Sequence, residues 1–142
     1  MTISAILGGK GSEVISITAD QSVAVAVQLL ADRRIGALPV MDGSRVVGIF
    51  SERDVIHALR KHGAAALEHK VGEVMTSPAI TVGANEAPIG ALSLMTQRRI
   101  RHLPVVEGGQ VIGVVSIGDL VKYRIDRIEA DAEAMRTYIQ SA

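Results

Sequence analysis

Cysteine and tryptophan are absent from this chain of 142 residues, and its aromatics reduce to one phenylalanine and two tyrosines. Without cysteine there can be no disulfide and no thiolate metal site, and one reason to expect secretion is gone. Charge of one sign is also lacking. The 15 Lys+Arg balance 15 Asp+Glu for a formal net charge of zero, so the broad positive field of a general nucleic-acid binder is missing and any positive charge that matters is local. No stretch reaches the roughly 18 consecutive apolar residues that cross a bilayer, and Met1 to Lys10 carry neither a basic leader nor a long apolar core. A soluble, cytoplasmic protein is the expectation. Apolar content, by contrast, is ample: 48% hydrophobic against 21% charged residues suits one compact globular domain.

The chain says nearly the same thing twice. Arg34-Ile35-Gly36-Ala37-Leu38-Pro39-Val40 returns 65 residues later as Arg99-Ile100-Arg101-His102-Leu103-Pro104-Val105. The register runs without a gap from Ile15/Ile80 through Gly43/Gly108 and Gly48/Gly113 to Ser51/Ser116 and Asp54/Asp119. Glycines, prolines and polar residues repeat along with apolar ones, which points to two copies of one folding unit. Two half-size units, each with an open apolar face, would pair and create related clefts at their junction, where repeated polar residues can converge.

Within each copy the periodicity changes in a fixed order. A short apolar and hydroxyl-bearing run, Val14 to Thr18 and its counterpart Ala79 to Val82, reads as a strand. Val23, Ala26, Val27 and Leu30 then follow helical spacing, matched by Pro88, Ala91, Leu92 and Met95, with Pro88 tolerated in a first turn. Both helices end in arginine pairs, Arg33-Arg34 and Arg98-Arg99, where a helix C-terminus favours cations. Leu38 to Met41 and Val46 to Phe50 flank Asp42-Gly43-Ser44-Arg45 as Leu103 to Val106 and Val111 to Val115 flank Glu107-Gly108-Gly109-Gln110, two hairpins with glycine turns. Pro39 and Pro104 mark strand positions that need no ladder donor. A second helix follows in each copy. The unit is strand, helix, hairpin, helix, with a right-handed crossover and both helices on one sheet face.

Chemistry concentrates where the hairpin turns into that second helix, at Ser51-Glu52-Arg53-Asp54 and Ser116-Ile117-Gly118-Asp119. Ser-x-x-Asp is a capping box, a sufficient structural reason for both residues. A helix N-terminus also offers free N–H groups to a phosphate, and an aspartate three residues in can accept from both vicinal hydroxyls of a ribose. Those are the two handles of a nucleotide. The aliphatic residues Ile15, Ile17, Ile80 and Val82 could clamp its base without an aromatic partner. Gly8-Gly9-Lys10-Gly11-Ser12 echoes a phosphate loop but lacks Ser or Thr after the lysine, and reads as a flexible turn. His57, His62 and His69 share no helical face suited to a metal, and no nucleophile, histidine and acid appear together with supporting context. Neither a metal nor an enzyme activity is expected.

The order Ile-Ser/Thr-Val, helix, Leu-Pro-Val, glycine turn, Val-x-Gly-hydrophobic-x-Ser-x-x-Asp resembles the cystathionine-β-synthase (CBS) domain, over about residues 12 to 125, and the tandem looks like a Bateman module. The resemblance implies an α+β fold, α/β-like in its crossover: two β-α-β-β-α repeats packed pseudo-symmetrically through their sheets, with an extra C-terminal helix. It implies an N-terminal extension at 1–11, repeats at 12–62 and 77–124, a connection at 63–76 and the C-terminal helix at 125–142. It implies a sensor rather than a catalyst, commonly a homodimer, binding AMP, ADP, ATP, NAD or S-adenosylmethionine between the repeats and acting on an unknown regulated protein. Matched to the family motif, Asp54 and Asp119 stand as ribose ligands, Ser51 and Ser116 as hydroxyls near phosphate, and Ser16 and Thr81 as hydroxyls of the first strands, with Ile80 beside them. The residues before Leu-Pro-Val commonly face the ligand, and here the copies differ: Gly36-Ala37 against Arg101-His102. Arg53 likewise stands where the second copy has Gly118. The two sites should therefore be unequal, with a phosphate-rich ligand favoured beside Arg101 and His102.

Beyond the second repeat, Val121, Ile125, Ile128, Ala132, Met135 and Ile139 alternate steps of four and three along a charged helix, a heptad seam. Under three heptads is too short to stand alone, so the seam either packs on its own module or meets a symmetry mate. Met1 to Leu7 could form a similar, shorter clasp.

Overall fold

The computed structural model describes residues 2–10 and 13–141, so Gly11 and Ser12 of the glycine-rich stretch lie outside the described residues. Helix α1 (Ile3–Lys10) precedes the first repeat, which comprises β1 (Ile17–Thr18), α2 (Val23–Arg33), β2 (Ala37–Asp42), β3 (Arg45–Ser51) and α3 (Glu52–His62). A 3-10 turn (Gly63–Glu68) and the short α4 (Val71–Val74) lead to β4 (Val82–Gly83), α5 (Pro88–Arg98), β5 (His102–Glu107), β6 (Gln110–Ser116) and α6 (Ile117–Ser141). Each repeat holds one three-stranded sheet, ordered β1-β2-β3 and β4-β5-β6, with a parallel first pair and an antiparallel hairpin.

The first strand of each repeat is shorter than the hydrophobic run suggests, because the prolines stop the ladder. Ile17 pairs with Val40 and Val82 with Val105. One step back the partner would be Pro39 or Pro104, which has no N–H to donate. Ser16 and Thr81 thus sit outside the sheet and are exposed. The helices start as their sequences require: Ser22 caps α2 by accepting from Val25 N–H (3.2 Å), and Pro88 occupies the first turn of α5. They end on Arg34 and Arg99 in the left-handed conformation, φ 53° and 55°, where an L-residue costs about 1–2 kcal/mol. The bonds from Ile35 N–H to Leu30 (3.1 Å) and from Ile100 N–H to Met95 (3.0 Å) hold both reversals and turn the next isoleucine back onto its core.

The two repeats have separate cores, and each borrows a helix from in front of the other. Core one, built on Val23, Leu30, Leu38, Val40 and Phe50, takes in Val71 of α4; core two, built on Met95, Leu103, Val105 and Val115, takes in Ile3 and Leu7 of α1. The acceptors of the tying hydrogen bonds follow the 65-residue repeat, while their donors stand 68 residues apart. Val71 N–H donates to Gln21 (2.8 Å) and Gly72 N–H to Ala19 (2.9 Å), while Ile3 N–H donates to Glu86 (3.0 Å) and Ser4 N–H to Ala84 (2.9 Å). The N-terminal clasp therefore exists, and it grips the second repeat. This exchange ties the halves together through buried apolar surface worth about 2 kcal/mol for each aliphatic side chain covered.

α3 stops at Gly63, which has φ 64°. Its counterpart position in α6 is Ile128, and with no glycine or proline from Asp119 to Ser141 the helix runs unbroken to Ser141. The boundary expected at 125 falls inside that helix. Leu120 is buried, whereas every residue from Arg124 to Ser141 is exposed, so the heptad seam does not fold back onto its own module.

Candidate functional site

A cleft of about 360 Å³ opens between the repeats, within the range of small-molecule sites. Its polar floor is the start of α3. There Asp54, 8% exposed, accepts Ser51 N–H at 2.9 Å and the Ser51 hydroxyl at 3.2 Å on Oδ2, and the Thr76 hydroxyl at 2.9 Å on Oδ1. Thr76 arrives from the chain leaving α4, held against β3 by reciprocal bonds with Ile49, both 2.9 Å. That approach needs Gly48, where a Cβ would stand 2.8 Å from the Thr76 carbonyl oxygen. A carboxylate offers about four acceptor positions. Three are used here, two of them by hydroxyls that can rotate away, so the carboxylate can take two ribose hydroxyls by releasing one side-chain partner.

Positive charge rims the cleft at Arg53 and Arg101, beside the imidazole of His102, with Glu52 opposing it. Arg53 Nη1 donates to the carbonyl of Arg99 at 2.7 Å, a bond from the first repeat to the left-handed end of α5 in the second. Arg99 is thereby explained as more than dipole compensation: its reversal presents a carbonyl to Arg53. His102 faces Gly36 across the junction so closely that a Cβ on Gly36 would lie 2.7 Å from Nε2. Gly36 and His102, one from each divergent pair, thus form one contact, a small residue in one copy making room for the ring in the other.

Six of the twelve candidate residues, Ser51, Arg53, Asp54, Ile80, Arg101 and His102, line this one cleft, and they come from both repeats. Ala37 is buried at 5% exposure, and Gly36 forms the wall in its place. Ser16 and Thr81 are exposed and do not line it. The proposed aliphatic clamp needs correction: Ile17 and Val82 are buried in the two cores, pinned there by their pairing with Val40 and Val105, so they cannot grip a ring. The apolar walls are instead Ile49, Ile56, Pro78, Ile80 and Ile100. Ser116, Gly118 and Asp119 form the related start of α6, where Asp119 accepts Ser116 N–H (2.8 Å) and its own N–H donates to Ser116 Oγ (3.1 Å), a complete capping box.

Sequence reasoning missed Thr76. A hydroxyl residue in the connection between the repeats carries no mark of the carboxylate it meets 22 residues away. His62 and His69 stack at 4.0 Å, with His69 Nδ1 2.7 Å from Glu73 Oε2. Among the described residues no cluster of three His, Cys, Asp or Glu side chains is placed to hold a metal, and no helix is long and apolar enough to cross a membrane.

Two α+β repeats that exchange helices and frame a ligand-sized cleft at their junction define the class, a tandem-repeat binding module. The CBS domain model matches residues 11–61 and 71–126, and the chain belongs to that family as a tandem pair. It is 33% identical over 148 residues to the mitochondrial CBS domain-containing protein CBSX3 of Arabidopsis thaliana, covering 98% of this chain and 72% of that one. Among solved structures it is similar to a CBS-domain-containing protein of Agrobacterium tumefaciens, 37% identical with a TM-score of 0.84, covering 87% of this chain and 99% of the other. It is also similar to a CBS domain protein of Pyrobaculum aerophilum solved in complex with AMP, 26% identical with a TM-score of 0.74, covering 84% and 89% respectively.

Proposed function

We propose that this CBS pair is a regulatory sensor of adenosine nucleotides, with the Asp54 cleft as its principal site. The carrying observation is one buried carboxylate, Asp54, in a cleft whose opposite repeat supplies Arg101 and His102 across apolar walls. Asp54 takes the ribose hydroxyls, Ile80 and its apolar neighbours hold the base, and Arg53, Arg101 and His102 with the start of α3 hold phosphate. AMP, ADP, ATP and NAD all carry those handles, and AMP in the Pyrobaculum relative supports the class. The Asp119 side is a second, weaker site, because Gly118 stands there where Arg53 brings positive charge to the first. A ligand joining both walls shifts the angle between repeats and so the affinity for a regulated partner. By linkage that partner alters nucleotide affinity by the same factor. The role is sensing, not catalysis.

Calorimetric titration with AMP, ADP, ATP, NAD and S-adenosylmethionine separately tests this. The expected result is micromolar or tighter binding of a phosphate-bearing adenosine ligand. No heat and no thermal-shift response with all five would leave Ser-x-x-Asp as a helix cap, and the chain as an interaction module.

A further inference from the structure

Among the described residues, none covers the seam along α6 beyond Arg124. From Arg124 to Ser141 the helix projects about 27 Å with every residue exposed. Ile125, Ile128, Met135 and Ile139 are 50–65% exposed and share one stripe with Val121 and Ala132. A charged helix of this length is marginal in water, and an apolar stripe at heptad spacing is what a second helix covers.

We propose that this stripe is covered by α6 of a second copy, running parallel and in register. The charges beside the seam choose that arrangement. With Ile125, Ala132 and Ile139 at the a positions and Val121, Ile128 and Met135 at d, the flanking g positions are Arg124, Asp131 and Tyr138, and the e positions are Lys122, Glu129 and Arg136. In a parallel pair each g residue meets the e residue five places on in the mate. Arg124 then faces Glu129 and Asp131 faces Arg136, opposite charges each time and each pairing made twice by symmetry. In an antiparallel pair that overlaps the whole seam, e meets e and g meets g: Lys122 would face Arg136, Glu129 its own copy, and Asp131 its own copy. All three are like charges. Sliding the antiparallel pair by one heptad restores opposite charges but leaves Met135 and Ile139 uncovered. Asp131 and Arg136 also touch charges of their own helix, Arg127 at 3.8 Å and Glu133 at 3.3 Å, surface pairs that a mate's charge can join. Parallel pairing places both modules at the same end of the two-helix stem.

The cysteine-free chain makes the test direct. In the full-length protein, Met135→Cys puts two thiols side by side at one d layer of a parallel dimer, within the Cα separation of about 4.4–6.8 Å that a disulfide spans. Mild oxidation should convert it to a covalent dimer, light scattering of the unmodified protein should give twice 15.0 kDa, and adding Ile128→Asp should abolish the cross-link. A Met135→Cys chain that stays uncross-linked overturns the proposal. So does cross-linking that requires Ile125→Cys on one chain and Met135→Cys on the other, the antiparallel signature, or a mass of one or three chains.

Discussion

Replacing Asp54 by asparagine separates the two jobs its carboxylate can do. As a cap it accepts the Ser51 N–H and hydroxyl at one oxygen and the Thr76 hydroxyl at the other. An asparagine whose oxygen stays toward Ser51 keeps that cap and turns its NH2 toward Thr76, whose hydroxyl can reverse and accept. The cost to folding is then one or two charge-assisted bonds becoming neutral, about 1 kcal/mol, or roughly 3 °C in Tm for a domain of this size. The cost to a ribose is larger. Two hydroxyls can donate to a carboxylate, but an amide offers them one acceptor and one donor, so one charge-assisted bond of about 1.5–3 kcal/mol is lost and the other weakened. Nucleotide affinity should fall by about 10- to 1000-fold. Calorimetry of Asp54→Asn against the unmodified protein, beside urea unfolding without ligand, reads both quantities. Unchanged nucleotide affinity with lowered stability would refute the ribose assignment and leave Asp54 as a cap. Equal collapse of both would show that the substitution disturbs the fold, and Thr76→Val, which keeps the carboxylate, would then be the variant to compare.

Asp119→Ala should abolish binding at the second site, so a titration that shows two sites in the unmodified protein should show one in the variant, with the fold intact. Arg53→Gln should weaken AMP binding about tenfold while leaving adenosine affinity within twofold, because only the phosphate and the Arg99 carbonyl use the guanidinium; equal losses for both ligands would refute its phosphate role. Gly36→Ala should destabilise the protein by about 1 kcal/mol, since its Cβ forces the His102 ring aside, and His102→Ala in the same chain should recover that loss in denaturant unfolding. The Glu73 carboxyl lies below its ordinary value of 4.5, first because His69 hydrogen-bonds to it. A lowered carboxyl contributes stability that is present above about pH 4.5 and lost as pH falls through the folded value. The stability difference between the unmodified protein and Glu73→Gln should therefore shrink on acidification below pH 4.5, and a difference that grows there would contradict the pairing.

The in-register return of Leu-Pro-Val, the glycine turn and Ser-x-x-Asp was enough, in sequence alone, to define the unit, its order of elements, both hairpins and the capping boxes at the start of α3 and α6. Those features are local. A proline that removes a donor, a glycine at a turn and a serine ahead of an apolar run act within a few residues, so their meaning travels with the sequence. Periodicity likewise exposed the seam of α6, although not its continuity with the second helix of the repeat, which depended on the missing glycine at Ile128. The tertiary structure alone decided which residues meet across the junction. Thr76 reaches Asp54 over 22 residues, Arg53 reaches Arg99 over 46, and His102 settles against Gly36. The exchange of α1 and α4 between cores and the burial of Ile17 and Val82 were equally invisible, because an apolar residue in a strand carries no mark of whether it faces a core or a cleft. The side on which each half of a repeat packs is set by surface complementarity between distant segments, and no short-range pattern encodes it.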